Sequence, residues 1–332
     1  MPAFRTRLFC YPEGRPRTRI LRGNGWSIKL TPDREHSRFA NLAAVEHEII
    51  IIARTLSRAE AVAELLLASE ALLDGAQSWF GETIVVHPER PPDNPAERAA
   101  HDRFMHGRQG AGGSLHVAVE VAGTISRRRR FQYALYRLRM SYRACSVHHM
   151  DLDPSHWRPQ QAVFDDPPYH VALATAIQLA YSAVEELGLE VRASADTPST
   201  VDGRWNPPVL NDLIKRLAAA GVATTEEASW YRRGTPSAIE RRYPFREYRK
   251  SSWSHRRIRD VEVPLVDAIL HASRLRSRVS AHRLPAIAAS LTVYDAVNVQ
   301  HLARRLLLAS SGHWRRRRRT PAKRGLSGRR HR

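Results

Sequence analysis

Three groups of residues in this chain carry side chains suited to more than packing. The first is His148-His149-Met150-Asp151-Leu152-Asp153-Pro154-Ser155-His156. Imidazoles and carboxylates at this density can bind a divalent metal. The spacing matches no zinc pattern, however, and Asp153-Pro154 favours a turn in which the same polar groups bond the backbone. No metal and no other cofactor is assigned on it. The second group is Leu275-Arg276-Ser277-Arg278-Val279-Ser280-Ala281-His282-Arg283, where guanidinium groups and an imidazole share one short stretch. On an unbroken helix Arg278 and His282 lie about 40° apart and Arg276 and His282 about 120° apart. His282 then falls on the apolar stripe, where a single histidine is commonly a hydrogen-bonded core residue.

The third group is a set of basic stretches: Arg127, Arg128, Arg129 and Arg130; Arg241 and Arg242; and Arg315, Arg316 and Arg317. The planar guanidinium fork suits phosphate better than a point charge does. In residues 232–259 the basic groups are interleaved with Tyr243, Phe245, Tyr248 and Trp253, a mixture that can stack on single-stranded nucleic acid. The same aromatics serve equally to pack helices together. The chain's net charge of +20 comes from 53 basic against 33 acidic residues. Residues 315–332 hold ten of the positive charges and no acid, and without them the balance is still +10. RNA or another nucleic acid is the expected partner; a solvated tail that raises solubility is the other reading.

These groups need elements to position them. The 332 residues, 42% hydrophobic, suffice for one large or two ordinary cores. No stretch approaches the length of a membrane span, so no membrane partner is expected. Met1–Tyr11 has no long apolar run, which argues against a secretory signal. Cys10 and Cys145 cannot make a disulfide framework, so a cytoplasmic setting is expected.

The expected fold class is α+β, a small mixed α/β N-terminal unit followed by a mainly α-helical bundle. In residues 1–125, strands are expected at Trp26–Leu30 and in the β-branched run Glu48–Ala53. Ser57 with Glu60 reads as a capping box opening a helix over Arg58–Asp74. The alternation of Leu115, Val117, Val119 and Val121 favours a strand, with a helix as the alternative. Residues 126–164 comprise a basic amphipathic helix, Arg127–Cys145, and the His/Asp-rich connector. Its Phe131, Ala134, Leu135, Leu138, Tyr142 and Cys145 share a face, with Arg137, Arg139 and Arg143 on a remainder that reads as a solvated face, with a phosphate-binding face as the alternative. In residues 165–312 one helix carries the stripe Leu173, Ile177, Ala180, Val184 and Leu187, ending at Gly188. Leu189–Arg192 reads as a short extended segment. Asn206-Pro207-Pro208 opens the next helix, ended by Gly221. Thr224 and Glu227 open a shorter one through Trp230. Two long helices close the region, Pro264–His282 and Val293–Ser310. Residues 313–332 lack the apolar residues to bury and are expected to be a disordered basic tail.

An Arg followed a few residues later by a His, late in a helical region, resembles the signature of the HEPN superfamily. The resemblance covers roughly residues 165–312 and rests on four principal helices, the position of Arg276…His282, and the second long helix after it. Where the family commonly has Asn, Asp or His directly after the Arg, this chain has Ser277. The resemblance implies a small helical domain of the kind found in prokaryotic toxin and defence systems. Its implied activity is RNA binding and metal-independent endoribonuclease cleavage, with a site formed across a homodimer. His282 is then the acid/base toward a ribose 2′-hydroxyl, and Arg276, helped by Arg278, stabilises charge on the scissile phosphate. Its alternative is a non-catalytic scaffold that binds nucleic acid or a protein partner.

Overall fold

A computed structural model describes residues 3–10, 19–23, 25–33, 45–74, 87–88, 115–145, 167–232, 245–247, 259–281, 283–284, 291 and 293–314. The fold is α+β: antiparallel sheets joined to a mainly helical bundle. Among the described residues no helix is long and apolar enough to cross a membrane.

Strands β1 (Ala3–Cys10), β2 (Arg19–Gly23), β3 (Trp26–Asp33), β4 (Val45–Ile52) and β5 (His87–Pro88) form one sheet in the order β2-β3-β4-β1-β5. Every pairing in it is antiparallel. The β2–β3 connection is the dipeptide Asn24-Gly25, with Gly25 at φ +72°, as a two-residue hairpin requires. The buried Trp26 indole covers Gly23 so closely that a Cβ there would lie 2.0 Å from it. Both expected strands are present, and the isoleucine run buries Ile51 while Ile50 and Ile52 stay partly open.

Helix α1 (Leu56–Asp74) starts earlier than the Ser57/Glu60 box suggests. Its cap is Thr55, whose Oγ1 accepts the Arg58 N–H at 3.2 Å while its carbonyl accepts that of Ala59. From Leu65 to Leu72 every residue is buried, so α1 is a core helix rather than a surface one. Leu115–Ile125 is helix α2, not a strand. The alternating valines mislead because Ala118, Ala122 and Ile125 are buried as well. A helix puts that denser apolar set against α1; a strand would leave half of it facing the wrong way.

Helix α3 (Arg129–Ala144) buries Phe131, Ala134, Leu135, Leu138 and Tyr142, as the spacing predicts. Arg139 departs from the expected solvated face, being buried in an ion pair with Glu64 of α1. In α4 (Pro167–Glu186) the stripe from Leu173 to Leu187 is buried and Gly188 follows it at φ +72°. Ser141 of α3 donates to the Ala176 carbonyl at 2.7 Å, and Arg137 pairs with Glu186. Moving back along α3 thus moves forward along α4, so the two helices run antiparallel.

Leu189–Arg192 forms no strand; a hairpin follows, β6 (Thr200–Val201) and β7 (Arg204–Trp205), turning on Asp202-Gly203 with both φ positive. Then come α5 (Pro207–Ala219), β8 (Glu227–Arg232), β9 (Phe245–Glu247), β10 (Arg259–Pro264), α6 (Leu265–Ala281) and α7 (Val293–Ser310). The short helix expected from Thr224 to Trp230 is instead β8, the edge of a sheet ordered β8-β10-β9. Ala228 and Trp230 alternate inward and pair with Val263 and Val261, a gain that local capping signals cannot represent. Pro264 ends β10 rather than opening α6. One buried apolar cluster runs from Trp26 to Leu308.

Burial pushes the Cys145 thiol up to about 11 from 9.0, and it raises Tyr142 and Tyr169 in the same direction. Each raised group is held protonated in the folded state. The stability this contributes is complete below the unfolded thiol value of 9.0 and drains as pH climbs toward about 11. The thiol's share is about 2–3 kcal/mol. Urea melts across this window should show a steep alkaline loss that is shallower in Cys145→Ala. Matching profiles for the two proteins would contradict it.

Candidate functional site

Helix α6 turns Leu265, Ala268, Ile269, Ala272 and Val279 into the core. Beside this stripe, Leu270, Ser273, Arg274 and Ser277 face a cleft of about 560 Å³, closed on the other side by Tyr181, Glu185, Glu190 and Val191. Arg276 and Arg278 line it too. With successive residues about 100° apart, these two flank the Ser273/Ser277 line from opposite sides, about 160° from each other. All three arginines, Arg274, Arg276 and Arg278, contribute to the lining of one opening.

Each is held differently. Arg276 Nη2 lies 3.5 Å from Glu185 Oε1, and Ser182 Oγ donates to the second oxygen of Glu185 at 3.3 Å. Arg274 Nη2 donates to Thr200 Oγ1 at 3.0 Å. Burial disfavours the Arg274 charge and Asp267 opposes that effect. Asp267 in turn accepts the Trp205 indole N–H at 2.5 Å, which ties the β6–β7 hairpin to α6. Arg278 is exposed.

The facing wall is built by a clamped loop. After Gly188, the Arg216 guanidinium of α5 donates to the carbonyls of Gly188 at 2.5 Å and Glu190 at 2.8 Å, and pairs with Asp212. The Tyr181 hydroxyl accepts the Val191 N–H at 3.2 Å, and burial raises its pKa against the effect of Ser273. The Gly188 and Glu190 carbonyls of this wall are thus both satisfied by one guanidinium.

Arg276 and Arg278 both line the cleft, although their spacing puts them about 160° apart around the helix. His282 follows the last residue of α6 and lies outside the described residues, as do Arg241, Arg242, Arg315, Arg316, Arg317 and the whole of His148–His156. Among the described residues no group of three or more His, Cys, Asp or Glu could hold a metal ion. Arg127, Arg128, Arg129 and Arg130 are exposed at the start of α3. Arg128 and Arg130 stack on Phe131 at 5.1 and 5.3 Å, and Arg129 on Tyr133 at 5.5 Å. Because α3 and α4 are antiparallel, these arginines lie at the end of the pair that carries Glu185.

Tyr181, Glu185, Glu190 and Arg274 were missed in the sequence. Glu185 sits in an ordinary Glu-Glu pair, Glu190 stands alone between Leu189 and Val191, and neither belongs to a motif; the one usable signal was the alternation Arg274, Arg276, Arg278. No family model, no curated protein and no solved structure matches this chain.

Proposed function

We propose that this protein is a HEPN-like RNA-binding protein whose α6 cleft receives the sugar–phosphate backbone. The observation that carries this reading is that Arg274, Arg276 and Arg278 all line one opening. Guanidinium groups at the rim of a cleft match phosphate oxygens in charge and in fork geometry. The exposed arginines at the start of α3 extend the basic surface, and the overall charge of +20 draws a polyanion from a distance.

In the catalytic form of this proposal no metal takes part. Arg276 and Arg278 hold the scissile phosphate, and His282, one residue beyond α6, exchanges a proton with the ribose 2′-hydroxyl. That hydroxyl restricts cleavage to RNA. One observation favours the non-catalytic scaffold instead: Arg276 is already engaged with Glu185, which competes with a phosphate for its charge.

The test is incubation of the purified chain with total RNA, with and without chelator. The catalytic form requires cleavage that persists in chelator, leaves cyclic phosphate ends, and disappears in His282→Ala while the melting curve stays put. RNA binding without cleavage leaves the scaffold, and absence of RNA binding ends the RNA reading in both forms, leaving only a scaffold for DNA or a protein partner.

A further inference from the structure

Every exposed residue of α3 is an arginine, Tyr133 or Met140, and the helix contains no acid. Arg129, Tyr133, Met140 and Arg143 fall within about 80° of one another around it, a stripe about 21 Å long. Tyr133 and Met140 are 46% and 47% exposed. The Arg129 guanidinium lies 5.5 Å over the Tyr133 ring, and its Nε donates to the Tyr133 hydroxyl at 3.1 Å. Tyr133 keeps its exposure with that guanidinium in place. Farther along, Arg143 Nη1 is 3.9 Å from Met140 Sδ.

The charges at the start of this face do not serve the helix. Arg128 is the N-cap and makes no side-chain cap bond, and Arg129 and Arg130 stand in the first turn, where the helix dipole favours anions. Among the described residues none of these three meets a carboxylate. Arg127 to Arg130 also repel one another. An anionic partner relieves both effects.

The stripe restricts which anion that is. A second copy docked through the same face would set arginine against arginine. A duplex offers phosphates but keeps its bases paired and stacked inside, so Tyr133 and Met140 gain nothing from it. An acidic peptide matches the charge, but its carboxylates bring no flat surface to the Tyr133 ring. A single strand alternates phosphates with free bases, and Arg129 and Arg130 flank Tyr133 on its two sides around the helix. Arg137, beside the stripe, pairs with Glu186, the neighbour of the cleft residue Glu185, so the stripe and the α6 cleft share one end of the α3–α4 pair.

We infer that a single-stranded stretch of RNA lies along α3, with a base stacked on Tyr133 and the flanking phosphates on Arg129 and Arg130. This rests on the RNA-binding reading and deepens it by naming the strand state of the partner.

Fluorescence anisotropy of the full-length chain tests it, with a labelled single-stranded RNA of about twelve nucleotides and with the same strand annealed to its complement. The single strand should bind about tenfold more tightly than the duplex at equal salt. Tyr133→Ala should weaken the single strand about five- to a hundredfold, leave the duplex unchanged and keep the salt slope. Tyr133→Trp should retain the affinity, because it keeps a ring while losing the hydroxyl. Arg129→Ala/Arg130→Ala should weaken both RNAs and flatten the slope by about one to two units. Equal affinities for strand and duplex, or a Tyr133→Ala variant that binds the single strand as the wild type does, would overturn the inference. So would loss of polyglutamate binding in Tyr133→Ala with RNA binding intact, which gives the face to an acidic protein. If the single strand binds through the cleft arginines while Tyr133→Ala is neutral, only this inference fails; if neither RNA binds, the RNA reading fails with it.

Discussion

Replacing Glu64 by alanine should destabilise the protein by about 3 kcal/mol, whereas Arg139→Met should cost only about 1 kcal/mol. The two residues form one ion pair between α1 and α3, yet their surroundings differ: the Arg139 side chain is 9% exposed and that of Glu64 34%. Removing Glu64 takes the carboxylate from a guanidinium that is only 9% exposed, a loss that hydration of so buried a group offsets only in part. Removing Arg139 leaves a carboxylate that a third of its surface lets hydrate, while the methionine fills the vacated space. The double variant should fall close to Arg139→Met alone, because no charge is then stranded. Urea melts of the three variants measure this. Equal costs for the two single changes would mean that the pair is solvated on both sides and that the helices are held by apolar packing alone.

The second large effect concerns RNA. The triple change of Arg274, Arg276 and Arg278 to alanine should lower RNA affinity by about a hundred- to a thousandfold at moderate salt. The plot of log affinity against log salt should flatten by about two to three units, since each phosphate that an arginine no longer neutralises removes about one. Arg276 should contribute least, since Glu185 already neutralises part of its charge. Stability should hardly change, because Arg276 and Arg278 are substantially solvent-facing and exposed ion pairs contribute little. A triple variant with unchanged slope would move RNA off this cleft and onto the arginines at the start of α3 or beyond residue 314.

Much of the helical half could be read along the chain. The stripe Leu173–Ile177–Ala180–Val184–Leu187 and the glycines at 188, 221 and 312 act through neighbours a few residues away, and all three glycines adopt positive φ at helix ends. The face of α3 from Phe131 to Tyr142 was legible for the same reason: helix periodicity is a local property. Misreadings arose where a distant partner outweighed a local signal. Thr224 and Glu227 look like a cap until Val261 and Val263, over thirty positions on, offer β8 a strand to pair with. The valines of α2 look like a strand until α1 supplies a surface for all their buried neighbours.

The polar interior was decided by tertiary structure almost entirely. Arg304 of α7 donates to the carbonyls of Leu72 and Leu73, satisfying the end of α1 from a helix more than two hundred residues later. Gln300 reaches the Ser141 and Cys145 carbonyls of α3 at 3.2 and 2.8 Å. In the cleft, Arg276 and Arg278 were visible as residues, but Glu185, Glu190 and the Arg216 clamp that faces them were not. The pattern of apolar residues determines which face of an element is buried, because that depends on spacing alone. Which charge meets which depends on how whole elements dock, and desolvation makes those pairings specific only after the docking has excluded water.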